Sequence, residues 1–319
     1  MEMELIKASL INTGIVAPGD VKVVAPSGGT WATYYPTIVE PENYFNTIAA
    51  AEATLRSGLN DVVLLAPESH SQATALTWDV NLAHLIGAHG PGKMNLRSRI
   101  GHSANFATLL TISGYGNSFQ NLFFQHGRGS ATNLKCVSIT GERNSFINCH
   151  FGGPMHATEG DTANYTLVNV ASAENYFKGC FFGVDTVQWD DGYVVMLAAG
   201  GDNSQRVVFE DCIFLMQAAA SPAVYFLGTV AGLGEAMAIF LNCHFINTGT
   251  ALNYAINGAG LGNYQMYFDN RCSFMGCTDI VAEAQEAYVN CGGANLAINQ
   301  VNTASSKLFN MLTTNPDVS

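Results

Sequence analysis

The stretch Asn144-Ser145-Phe146-Ile147-Asn148-Cys149-His150-Phe151 decides the fold, because the chain repeats it. The same frame stands at residues 117–124, 175–182, 207–214, 238–245 and 267–274. Its first Phe is Phe119, Phe146, Phe177, Phe209 and Phe240, with Asp269 interrupting the series, and its last is Phe124, Phe151, Phe182, Phe214, Phe245 and Phe274. Between them run Leu122, Cys149, Cys180, Cys212, Cys243 and Cys272 at intervals of 27, 31, 32, 31 and 29 residues, which marks one structural unit per period.

Parity within the frame tells what the unit is. Alternate residues of a strand share a face, so Cys149 and Phe151 both point inward, whereas Phe146 lies three before Cys149 and joins them only if the chain bends. Asn121, Asn148, Gly179, Asp211, Asn242 and Arg271 occupy the bend, and Asn, Asp and Gly tolerate left-handed backbone. Upstream, Leu110/Ile112, Val137/Ile139 and Val168/Val170 alternate as strands do. One period is therefore strand, turn, strand, bend, strand and a variable loop. Three short strands per turn, each with one inward face, describe a parallel β-solenoid in which like residues stack on like. The Cys column is expected to be a small apolar ladder inside it.

Composition fits a rod. At ~4.8 Å per winding, seven or eight coils give a length on the order of 35–40 Å. Charged residues are 12% of the chain and mean hydropathy is +0.15, so part of the surface is expected to be covered by copies of itself, as a homotrimer, or by a larger assembly. The net charge of −12 argues against nucleic acid or an anionic membrane as partner. Of eight cysteines, six fall in the repeat column if Cys291 is counted, and free buried thiols suit a reducing cytoplasm. Met-Glu-Met-Glu-Leu at the start gives no sign of a signal peptide.

In chain order, residues 1–38 lack the repeat and are expected to form an extended N-terminal arm. Trp31, Tyr34 and Tyr35 on it either pack on the first coil or dock the rod on a partner. Pro41 to Arg56 has helical spacing at Tyr44, Ile48, Ala51 and Leu55, a capping helix for the open end of the solenoid. Val62–Ala66, Leu76–Trp78 and Leu82–Ile86 are expected as the strands of the first coil. The β-helix then spans 39–299, with Leu296 and Ile298 in a last strand. Residues 300–319 form a C-terminal cap and tail, with a short helix over Ala304–Leu312.

Thr-Ile-Ala-Ala-Ala (47–51), Val-Val-Leu-Leu-Ala-Pro-Glu-Ser-His-Ser (62–71) and Leu-Ala-His-Leu-Ile-Gly (82–87), together with the Asn-x-Phe-x-Asn-Cys-x-Phe rungs, resemble the right-handed parallel β-helix proteins of the pectate-lyase-like superfamily. The resemblance covers roughly residues 40–295 and implies the fold. That superfamily includes pectinolytic enzymes, phage tailspikes and other virion proteins, and adhesins. The uncharged, Asn- and Gly-rich coils are most similar to the bacteriophage virion members.

Enzymes of this superfamily carry residue sets that are incomplete here. Of the polygalacturonase set (Asn-Thr-Asp, Asp-Asp, Gly-His-Gly, Arg-Ile-Lys) only Asp190-Asp191 stands out, and His89-Gly90 and His126-Gly127 come before it rather than after. A lyase needs a calcium-binding carboxylate cluster with a basic residue, and no such set is evident. The expectation is therefore a non-enzymatic virion protein, a capsid decoration or cement subunit docked on the major capsid or another virion protein, with no cofactor and no metal. His84, His89, His102, His126 and His156 lack ligand spacing, His150 and His244 point outward on non-adjacent rungs, and Cys272, Cys277 and Cys291 belong to the core. The alternative is a tailspike or fibre that binds or hydrolyses a host surface glycan, with Asp185, Asp190 and Asp191 around Trp189 as its site.

Overall fold

The structure, a computed structural model, describes residues 18–89, 92, 94, 97–198, 204–219, 224–229, 237–257, 265–281 and 289–290. Among these, parallel strands build sheets of eleven, eight and seven strands, each with the same order of coils, and a separate pair, Leu252–Tyr254 with Cys277–Asp279. The chain is a right-handed parallel β-helix. One full coil is Ser145–Ile147 in the first sheet, His150–Gly152 in the second and Thr166–Val170 in the third.

Side-chain identity sets the register. Phe119, Phe146, Phe177 and Phe209 pair Cα to Cα, and their rings stack at 5.0, 4.8 and 4.8 Å. The second column, Phe124 to Phe274, stacks at 4.4–5.2 Å and meets the first edge-on, as Phe182 does Phe177. Stacked and edge-to-face rings add attraction beyond area burial. The Phe series does not end at Asp269. Phe268 pairs with Phe240 and stacks on it at 4.5 Å, so this coil carries one more residue before its cysteine. The Asp269 carboxylate fills that corner by accepting from the N–H groups of Asn242 and Arg271.

Asn121, Asn148, Gly179, Asp211 and Asn242 take positive φ of 51–62° at the bend. Arg271 does not share that conformation, because Asp269 closes its turn instead. Just before three successive first-sheet strands, Ser118–Gln120, Ser145–Ile147 and Tyr176–Lys178, lies a second asparagine ladder. Asn117, Asn144 and Asn175 are buried, and their Oδ1 atoms accept from Ala83, Asn117 and Asn144 N–H respectively. Each amide satisfies the backbone of the preceding coil, which a buried corner otherwise leaves orphaned.

The cysteine column lies inside, as expected. Cys149, Cys180, Cys212, Cys243 and Cys272 are free, and each thiol donates to the carbonyl of a Phe one coil back, at 3.3–3.5 Å. Burial raises the Cys180, Cys212 and Cys243 thiols far above their usual range and pushes Cys277 up to about 12. Alkylation of the native protein is expected to leave the seven described cysteines unmodified by peptide mass spectrometry, with reaction only in denaturant. A carbamidomethylated Cys180 in the native protein contradicts that.

The N-terminal end differs in detail from the sequence reading. Val21–Val24 is a strand paired with residues 62–65 and with Tyr44–Phe45, so this part of the N-terminal segment is a rung of the first sheet. The capping helix is only Ile48–Glu52, started by Thr47, whose Oγ1 accepts the Ala50 N–H. Tyr44 and Phe45, apolar ring residues suited to a pleated surface, join the sheet instead. Ala83–Gly87 pairs directly with Asp61–Leu65 and so opens the second coil, while Ser69–Gln72 supplies the strand missing from the first. Residues 1–17, Cys291, the last strand at Leu296 and Ile298, and the cap and tail over 300–319 lie outside the described residues.

Burial lowers His84 and His150 to about 4 and His126 to about 3. A histidine whose folded value lies below its unfolded value of ~6.5 contributes stability that is present above that value and is lost as pH falls through the folded one. Thermal melts are expected to be level above pH 6.5 and to fall steadily from there to about pH 4. A melting temperature independent of pH over that window contradicts the burial of these rings.

Candidate functional site

The loop singled out from sequence divides. Asp185 and Asp190 are exposed, but Trp189 is 0% exposed. Its ring meets Tyr165 edge-on at 5.6 Å, and its backbone bridges to Ala218. Trp189 is thus core and cannot stack on a sugar. The acids beside it suggested a solvated loop tip, yet the Asp190 and Asp191 N–H groups donate to Gly160 O and draw the loop onto the preceding coil.

Asp191 heads the strand Gly192–Leu197, and this carries it to the outer face of the third sheet. Its Oδ1 accepts the Gly192 N–H at 2.7 Å. One residue on begins a tyrosine column. Tyr193 pairs with Tyr225, their rings stacked at 5.9 Å and 17°. Tyr254 stands two residues before Ile256, which pairs with Leu227, but it belongs to the separate strand pair, opposite Asp279, and lies near Tyr225. All three tyrosines are half-buried. The Tyr193 hydroxyl accepts from Asn257 Nδ2 at 3.0 Å, and its ring lies over Gly228, where a Cβ would stand 2.6 Å from Cδ1. Gly228 therefore makes room for the ring. Burial raises the Tyr225 hydroxyl above its ordinary value, with Tyr193, Tyr254 and Asp191 close enough to add to the shift.

Earlier coils carry Thr108, Lys135 and Thr166 in the tyrosine register. Beside them Thr111, Ser138, Asn169, Met196, Gly228 and Asn257 form a second outward column, in which Asn169 Nδ2 donates to Ser138 Oγ. The third sheet thus presents, along the solenoid axis, small polar groups on its earlier coils and then the Tyr193–Tyr225 ring pair with Met196 and Gly228 beside it and Asp191 at the margin. Half-buried tyrosines with a carboxylate beside them offer a sugar an apolar surface together with polar groups. The tyrosines escaped the sequence reading, although their spacings of 32 and 29 residues follow the same period as the cysteines.

The remaining predicted residues are placed as follows. Tyr35 is buried with Val23, Ala25, Val39 and Ala66, Trp31 packs on that cluster, and Tyr34 is 51% exposed. The Trp31 N–H donates to Glu68, so this aromatic group is tied to the first coil. His150 points out of the coil but is only 1% exposed, because it stacks on Phe123 at 4.5 Å and bonds Gly183 O.

No family model matches the sequence, and no curated protein matches it. Solved structures do. A pectin methylesterase determined with a hexasaccharide is similar at TM-score 0.54 and 15% identity over 81% of this chain and 80% of that one. The Aspergillus niger pectin methylesterase gives 0.54 and 16% over 84% and 82%. YbhC of Escherichia coli gives 0.54 and 12% over 84% and 76%. At these identities the likeness is one of fold. ORF18 of Geobacillus virus E2, at TM-score 0.46, 14% identity and 73% of this chain against 50% of that one, carries no argument for a virion role.

These likenesses correct the expectation of a non-enzyme. It rested on the missing polygalacturonase and lyase sets, and the similar structures are enzymes outside both groups, pectin methylesterases. Lacking those two sets therefore does not make this architecture catalytically silent.

Proposed function

We propose that the chain is a carbohydrate-active β-helix protein that takes a polysaccharide along the outer face of its third sheet. The observation that carries this is the half-buried Tyr193–Tyr225 ring pair on that face, with Tyr254 and Asp191 close to it. An extended glycan running parallel to the solenoid axis packs against the outward side of the Tyr193–Tyr225 pair, with Asp191 at its edge. Asp191 is the acid of this face and the group assigned to chemistry on the bound chain.

The test is a panel of neutral and acidic polysaccharides, scored for binding by calorimetry and for release of reducing ends or ester-derived methanol and acetate. At least one polysaccharide is expected to bind. Tyr193→Ala and Tyr225→Ala are each expected to weaken it about tenfold, the ~1.4 kcal/mol scale of one lost ring contact. Asp191→Asn is expected to abolish product release while leaving binding within about threefold, ~0.65 kcal/mol. A panel with no binder, or tyrosine variants that bind as the parent does, overturns the reading.

A further inference from the structure

A cleft of ≈ 210 Å³ opens on a different face, the outer surface of the second sheet, between Ser69, Ser71, Arg99, His102, Gln125 and Arg128. Its strands are Ser69–Gln72, Arg99–His102 and Phe123–Gln125, in register through the pairs Ser69 with Arg99 and Arg99 with Phe123. Among the described residues the lining holds two guanidinium groups, two hydroxyls, one amide and no carboxylate, in a chain of net charge −12 with 13 lysines and arginines in all. Two cations gathered in one cavity of so acidic a protein need a reason, since each repels the other.

The cavity is constructed, with its parts held from behind. The Arg99 guanidinium carbon sits 5.9 Å from the centroid of the Phe123 ring, itself stacked on His150. Arg128 Nη1 donates to His102 O at 3.1 Å. His102 is fixed as one neutral tautomer, its Nδ1–H donating to Ala104 O and its Nε2 accepting the Gly127 N–H. Behind the wall lies Glu159, fully buried. Its Oε1 accepts from the N–H groups of Arg128, Gly129 and Ser130 and from Asn133 Nδ2, at 2.7–3.0 Å. Burial works against that carboxylate, but these donors outweigh it and hold its pKa below the ordinary value. The acid is thus spent on the backbone of the loop and leaves the Arg128 side chain for the cleft. His102 is no base for Ser69 or Ser71, because its lone pair is already taken.

We infer that this cleft is a second ligand site, distinct from the tyrosine face, and that it binds an oxyanion borne on a sugar. A guanidinium's planar fork of donors suits a carboxylate or a phosphate, and two of them line this cavity. The volume equals about seven waters at ~30 Å³ each, room for a charged monosaccharide unit rather than a bare ion, and Ser69, Ser71 and Gln125 supply the groups that hold its hydroxyls.

The experiment is calorimetric titration of the full chain carrying Tyr193→Ala and Tyr225→Ala, which silences the tyrosine face. The ligands are trigalacturonate, glucose 6-phosphate, inorganic phosphate and neutral maltotriose. Trigalacturonate or glucose 6-phosphate is expected to bind, and whichever does so identifies the anion as carboxylate or phosphate. Affinity is expected to fall at least tenfold in Arg99→Ala and in Arg128→Ala, less in Arg128→Lys, and to weaken as salt rises. Unchanged near-ultraviolet dichroism of the variants shows that their fold is kept. The inference is overturned if neither charged sugar binds, if inorganic phosphate binds as tightly as they do, if maltotriose binds equally, or if the arginine variants bind like the parent. Because the tyrosines are already removed, failure here leaves the tyrosine-face reading standing, and the converse holds.

Discussion

Phe177→Ala is expected to destabilise the protein by ~3–5 kcal/mol, the range for deleting a fully buried aromatic ring without refilling its space. Phe177 has ring partners on both sides, Phe146 and Phe209 at 4.8 Å each, and edge contacts to Phe151 and Phe182. Alanine opens a gap in the middle of a ladder whose neighbours are fixed by strand pairing above and below, so collapse into it is limited. Met275→Ala, at a site 41% exposed, is the control and is expected to stay within ~0.5 kcal/mol. Denaturant titrations of the two variants against the parent decide the matter. A loss below ~1 kcal/mol for Phe177→Ala shows that the rings do not carry the stack.

Asn144→Ala is the second large effect. The side chain accepts the Asn117 N–H at 2.9 Å and donates to Gly114 O and Gly141 O at 3.0 and 2.9 Å. Alanine strands the Asn117 N–H and Gly114 O at a buried corner, each costing ~1–3 kcal/mol if water does not reach it, while Gly141 O keeps the Ser172 hydroxyl as donor. The expected loss is ~3 kcal/mol or more. Asn144→Asp restores the acceptor, removes both donors and buries a charge, so it should be no better. Asn148→Gly makes the contrast, since glycine accepts the 51° φ that Asn148 holds, and the change should cost well under the alanine variant. Equal losses for Asn144→Ala and Asn148→Gly contradict the distinct roles of the two ladders.

The fold was legible because its rungs repeat chemical identity. Phe, Cys and Asn recur with one period, and each is demanded by a different constraint: ring stacking, a small interior site, and a corner amide. Phe268 escaped because one added residue shifted the column, and only the strand pairing restores it. The candidate sites were less legible for physical reasons of their own. Trp189 sits among acids that mark surface, yet a backbone bridge to Ala218 carries it inside. The tyrosine register holds only Tyr193 and Tyr225 and lies on an outward face, where no core demand keeps its earlier positions aromatic. Thr108, Lys135 and Thr166 stand there instead. The cleft draws on strands from three successive coils, and its arginines, serines and glutamine repeat nowhere, so no period announces it. Glu159, which organises the loop beside the cleft, likewise belongs to no repeat.

The most direct test of the functional account is a crystal structure of the protein with an oligosaccharide from the polysaccharide that it binds. The account predicts sugar rings seated on Tyr193 and Tyr225, the chain parallel to the solenoid axis, and Asp191 at its edge. Oligosaccharide bound on the first sheet, or crossing the third sheet without touching either tyrosine, contradicts it.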